Sequence, residues 1–130
     1  MQAGVETPTK EPEHVRMKVN DAAVAKAKDM IKSHHYVLES NWSEAQPSST
    51  DENDYLDRHG WEGYGAWFLA IDTAGSDETK ERYNFVYGDF QRVHRSGLIA
   101  AKQRAAQYNH DAIEQAADEL LTVLNEIRAD

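Results

Sequence analysis

Apolar positions along the chain fall into five patterned stretches, and their spacing predicts a different element for each. Ala23, Ala27, Met30 and Ile31 share one stripe of a helix that runs from an Asn20 or Asp21 cap to about Ser33, with Lys26, Lys28 and Lys32 largely off that stripe. Tyr36-Val37-Leu38 is strand-like and short. Ala66 to Ile71 is a continuous apolar run ended by Asp72-Thr73-Ala74-Gly75, which predicts a buried strand. Phe85-Val86-Tyr87 predicts a second strand. Near the C-terminus, Ile113, Ala116, Ala117, Leu120, Leu121, Leu124 and Ile127 recur at the spacing of a helix with one buried face.

Polar and small residues fill in the rest. The segment from Val93 or Ser96 to Gln107 reads as a helix whose Ala100, Ala101, Ala105 and Ala106 permit close approach of a neighbour. Tyr108-Asn109-His110 is short enough to make it the antiparallel partner of the last helix, whose start Asp111 and Glu114 mark as a capping box. Ser76 predicts a short helix through about Tyr83. Residues 44–54, EAQPSSTDEND, carry no apolar anchors and read as a solvated loop. The glycines around Trp61 and Tyr64 place these two aromatics at a turn. The expectation is an α+β fold, in which a small sheet of two or three strands packs against a C-terminal antiparallel helix pair and an N-terminal helix. Residues 1–19 read as a flexible tail and 20–130 as one domain, since 130 residues suffice for a single core.

Composition narrows the chemistry. With no Cys, disulfides, thiolate metal sites and cysteine catalysis are excluded. No apolar run approaches the roughly 20 residues of a membrane-spanning helix, and no secretory signal is visible, so the expected setting is cytoplasmic and away from membranes. The net charge of −9 opposes indiscriminate binding to polyanions. Its distribution is uneven: residues 80–104 hold six Lys or Arg against two Asp or Glu, and both flanks are acidic. This basic band, Arg82, Arg92, Arg95, Lys102 and Arg104, is a candidate anion-binding surface, with Trp61 and Tyr64 as candidate interface anchors. The competing reading is that Glu114, Asp118 and Glu119 of the next helix neutralise it.

Other constellations are weaker. His34 and His35 are adjacent, so their side chains diverge, and a capping or solvated role outweighs metal ligation; no metal or cofactor is expected. A calcium-loop reading of Asp51 to Glu62 fails at Tyr55 and Leu56, which stand where an oxygen ligand and a glycine are required. Asp72, Asp89, His94 and Ser96 supply an acid, a base and a hydroxyl, yet no glycine-flanked nucleophile elbow accompanies them, so turn and cap roles are favoured.

The ordered motifs KAKDMI (Lys26 to Ile31), NWS (Asn41 to Ser43), YGAWFLAID (Tyr64 to Asp72), DETKERYNFVYGD (Asp77 to Asp89) and VHRSGLIAAKQRAAQ (Val93 to Gln107) resemble a small family of uncharacterised bacterial proteins. They also resemble segments of tailed-phage head-maturation (prohead) proteases that lie outside the protease domain. The likeness spans about residues 22–127. It implies a binding or assembly module of phage or mobile-element origin and carries no catalytic residue onto this chain. The expected function is therefore a non-enzymatic interaction module whose basic band meets an anionic partner. A protein is the favoured partner, with nucleic acid and self-association as further options. Two alternatives stand beside it: an acidic inhibitor or nucleic-acid mimic, and a small enzyme with a pocket near Asp72, Asp89 and His94.

Overall fold

The computed structural model describes residues 16–128. The tail reading of residues 1–15 lies outside them. The architecture is α+β. Strand β1 (Met17–Val19) leads into helix α1 (Asp21–Lys32), short strand β2 (Tyr36–Val37), helix α2 (Trp42–Ala45) and helix α3 (Ser49–Gly65). Strand β3 (Phe68–Asp72), a 3-10 turn at Lys80–Arg82, strand β4 (Tyr83–Val86) and strand β5 (Val93–His94) follow, and helices α4 (Arg95–Gln107) and α5 (Asp111–Arg128) close the fold.

The predicted buried strand is the centre of the main sheet. β3 pairs antiparallel with β1 (Met17↔Asp72, Val19↔Ala70) and with β4 (Phe68↔Val86, Ala70↔Asn84), which leaves β4 at one edge. A second, parallel pair joins β2 to β5 (Tyr36↔Val93, Val37↔His94). The most extensive helix packing is between α4 and α5, and α5 also lies against α1, β1 and β3. Ile113, Leu120 and Leu124 of α5 meet Ile31, Leu69 and Leu98 in the core, each 0–1% exposed. Burying side chains of this size contributes about 1.5–3 kcal/mol each and dominates the folding energy.

Asn20 joins two layers at their start. Its Nδ2 donates to the carbonyls of Gly65 (2.9 Å) and Phe68 (3.1 Å), and its backbone N–H donates to Leu69 O (2.8 Å). These bonds satisfy a buried amide and fix the head of α1 on β3. An aromatic cluster fills the space beside them. The Tyr55 ring stacks on Phe90 (4.6 Å between centroids) and its hydroxyl accepts from Trp67 Nε1 at 3.0 Å. Buried Tyr87 donates to Ala66 O at 2.8 Å, and burial pushes its phenol pKa far up.

Several elements differ from their sequence expectation. Residues 17–19 form a strand where the tail was expected, because pairing with β3 rather than local periodicity creates it. The solvated loop at 44–54 is mostly helix: α2 reaches Ala45, and Ser48 starts α3 with a capping box in which it accepts from Asp51 N and Asp51 accepts from Ser48 N. The expected turn at Trp61 and Tyr64 is confined to Gly60, whose φ of 74° breaks α3, so that both aromatics lie in its last segment. The helix expected from Ser76 is a turn with Glu78 at φ 64°, followed by the 3-10 turn at Lys80–Arg82. At α5 the first intrahelical bond runs from Glu114 N to His110 O (2.9 Å), which makes His110 the cap and Asp111 the first helical residue. Asp111 then serves the helix through its charge near the N-terminus.

Candidate functional site

Three of the four residues weighed as an acid, base and hydroxyl set come together, and a fourth partner joins them. The β2–β5 pairing sets Val37 beside His94 and so carries the loop after β2 over the start of α4. Ser40 Oγ lies 2.9 Å from His94 Nδ1 and 2.7 Å from Ser96 Oγ, and His94 Nε2 lies 2.8 Å from Asp89 Oδ2. Asp89 also accepts through Oδ1 from the N–H groups of Gln91 (2.9 Å) and Arg92 (2.7 Å). Burial acts to raise its carboxyl pKa, but the hydrogen bonds from His94, Arg92 and Gln91 win and hold it below the ordinary 3.8. An ionised carboxylate only accepts, so Nε2 carries a proton; in the tautomer with Nδ1 unprotonated, the Ser40 hydroxyl donates its hydrogen bond to Nδ1.

A hydroxyl–imidazole–carboxylate chain is the wiring of an activated nucleophile. Here the chain sits in a largely buried setting. His94 is 5% exposed, Trp42 tilts over its ring at 5.5 Å, and Ser40 is already engaged by a second hydroxyl. None of the four residues lines either of the two large grooves described below. Asp72 is elsewhere, receiving Arg16 Nε at 3.1 Å and capping a turn through Ala74 N at 2.9 Å. Among the described residues Asp72 shares no hydrogen bond with Asp89 or His94, its partners being Arg16 and Ala74.

The basic band is dispersed over the surface. Arg82 reaches Asp77 (3.4 Å) and Gly75 O (3.2 Å), and Arg92 is exposed in the turn before β5. Arg95 and Lys102 line a groove of about 500 Å³ between α4 and α5, opposite Glu114 and Asp118. Lys102 Nζ is 2.7 Å from Asp118 Oδ1, and this hydrogen bond and charge raise the lysine pKa. Seven-residue spacing does align Arg95 and Lys102, but toward the acids of α5 rather than outward. Arg104 is exposed, lies outside that groove, and makes no ion pair among the described residues.

Of the two proposed aromatic anchors, Tyr64 is 1% exposed and part of the core, with its phenol pKa raised by burial, so it cannot meet a partner without local opening. Trp61 is half-buried, stacked on Tyr83 and edge-on to Tyr64. His34 and His35 close α1, with His35 N–H bonding Met30 O (2.8 Å) and His34, at φ 63°, bonding Ile31 O (3.0 Å) in a Schellman cap. Among the described residues, no three His, Asp or Glu side chains are grouped to hold a metal ion.

A larger groove, about 560 Å³, runs between β4 and α4. Trp42, Phe85, Val86, Ala100, Arg104 and Tyr108 form much of its lining, and no carboxylate lines it. Tyr108 is the one exposed large hydrophobic side chain among the described residues, at 51%. Phe85 has φ 68°, a left-handed conformation that is an outlier for a bulky residue. Sequence reasoning missed this site because Trp42, Phe85 and Tyr108 come from three distant segments; Tyr108 standing in a turn beside an otherwise polar helix end was its one visible sign.

The chain matches no protein-family model, and no curated protein or solved structure is significantly similar to it. No helix among the described residues is long and apolar enough to cross a membrane.

Proposed function

We propose that this chain is a non-enzymatic interaction or assembly module that contacts a partner protein through the groove between β4 and α4. The observation that carries the reading is the coincidence, in one groove, of the exposed Tyr108 ring and an Arg104 that, among the described residues, makes no ion pair, in a lining to which those residues contribute no carboxylate. Exposed aromatics and Arg are enriched where partners dock, and an acid-free patch on a chain of net charge −9 is a local exception. Of the basic band, Arg104 is the member that lines this groove; Arg82 and Lys102 are paired, Arg95 faces α5, and the exposed Arg92 lies outside the groove. The resemblance to phage segments outside a protease domain supports an assembly role of phage or mobile-element origin.

A photo-crosslinking phenylalanine at position 108, with a second at exposed Gln115 on α5 as control, tests the reading. A partner crosslinked from position 108 and not from 115, then purified and bound about tenfold more weakly by a Tyr108→Ala variant of unchanged stability, is the expected result. Equal crosslinking from both positions, or equal binding by wild type and variant, would overturn it.

A further inference from the structure

Resting on that groove as the contact surface, we infer that its occupant is an extended peptide segment of the partner, carrying an apolar or aromatic side chain and, a few residues away, a carboxylate. The lining decides the shape of the ligand. All four residues of β4, Tyr83, Asn84, Phe85 and Val86, border the groove. The groove also takes in Phe68 of β3 and Met17 of β1, so it crosses from the face of the sheet to β4, whose backbone N–H and C=O groups border it. Among the described residues β4 is an edge strand with β3 on its other side, and an edge of this kind accepts a further strand. On the opposite bank the small Ala100 and Ala101 let a chain lie close to α4.

Charge decides the rest. Among the described residues Arg104 is the only Asp, Glu, Lys or Arg side chain of the lining, and a guanidinium can take a carboxylate in bidentate fashion. The surrounding net charge of −9 repels a polyanion at long range, while a single acidic side chain at contact distance, within one Debye length of about 8 Å, meets the guanidinium first. This disfavours nucleic acid and favours a peptide with an isolated acid. Trp42 and Tyr108 offer flat rings to its apolar side chain, and Phe85, whose φ of 68° stores backbone strain, is among the lining residues.

A displayed library of short random peptides, selected on the immobilised full chain, tests the inference. The enriched consensus is titrated as a fluorescein-labelled peptide by anisotropy against wild type, Arg104→Glu and Tyr108→Ala. The expected consensus pairs an apolar or aromatic residue with Asp or Glu. Each substitution should weaken binding about tenfold. Selection on Arg104→Glu should exchange the acidic preference for Lys or Arg. Amide shifts of wild-type protein on titration should centre on Phe85, Arg104 and Tyr108, which locates the site even if a variant fails to fold.

No enriched motif, a basic consensus on wild type, or shifts centred elsewhere would overturn the inference. So would a consensus matching residues 1–15 of this chain, which carry Glu6, Glu11 and Glu13 and would make the occupant the chain's own N-terminal segment. A partner crosslinked at position 108 with no short peptide selected would sink the extended-peptide inference and leave the interaction reading standing. Peptide binding insensitive to both substitutions, with shifts elsewhere, would remove both.

Discussion

His94 and Asp89 meet at 2.8 Å, with the imidazole 5% exposed and the carboxylate also gathering two backbone N–H groups. A buried donor that loses such an acceptor keeps its desolvation cost, so Asp89→Ala should destabilise the fold by about 1.5–3 kcal/mol at neutral pH. The sign of the pH dependence follows from the lowered carboxyl pKa. Its contribution is fully present above the unfolded value near 3.8 and is lost as pH falls below that, toward the folded value. Urea titrations of wild type and variant should give a gap that narrows as pH falls below about 4. A gap independent of pH would show that the carboxylate charge contributes nothing.

Two non-glycine residues end helices in the left-handed conformation, His34 after α1 and Asn109 after α4. The α4 cap repeats the α1 geometry, with His110 N–H on Ala105 O (2.8 Å) and Asn109 N–H on Ala106 O (3.2 Å). Glycine takes this conformation without a Cβ clash, and Asn tolerates it better than His. His34→Gly should therefore raise stability by about 0.5–1 kcal/mol, and Asn109→Gly by less. Thermal melts check the ranking. A destabilised His34→Gly would mean that the ring's hydrogen-bonding contact with Tyr36 at 3.3 Å matters more than the backbone.

Legibility of this chain tracked how local the cause of each element is. α1 and α5 were readable because their buried stripes repeat at helical spacing, and β3 because its apolar run is continuous and bounded by a turn. β1 was not, since three residues become a strand only through β3. α3 begins in a segment with no apolar stripe, although Ser48 and Asp51 spell its capping box. The site failed for the same reason on a larger scale. Spacing puts Arg95 and Lys102 on one side of α4, but only the packing of α5 shows that Glu114 and Asp118 stand opposite them. The Ser40 contact to His94 joins residues 54 apart, beyond any periodicity.

Gly97 tests how tightly the head of α4 is held. A Cβ there would meet Tyr87 O at 2.7 Å and the Trp42 ring at 3.0 Å, one of them backbone that cannot swing away. Gly97→Ala gains helix propensity of about 1 kcal/mol, yet overpacking of this kind costs about 1–3 kcal/mol. The net expected effect is destabilisation, with the near-ultraviolet signal of Trp42 altered. A more stable variant with that signal unchanged would show that α4 has room to shift away from Trp42.

The orientation of α5 is the last point open to measurement. Leu120 and Leu124 are fully buried, four residues apart on the face toward α1 and the sheet, while Val123 between them is half-buried. Truncating a buried leucine removes its transfer energy and leaves a cavity, about 2–5 kcal/mol in total, a large share of the roughly 5–15 kcal/mol that holds a domain together. Leu120→Ala and Leu124→Ala should each lower the urea midpoint strongly, with the slope unchanged, and Val123→Ala should do so much less. If Val123→Ala were as damaging as the two leucine variants, α5 would be rotated from the orientation described, and with it the acids facing Arg95 and Lys102.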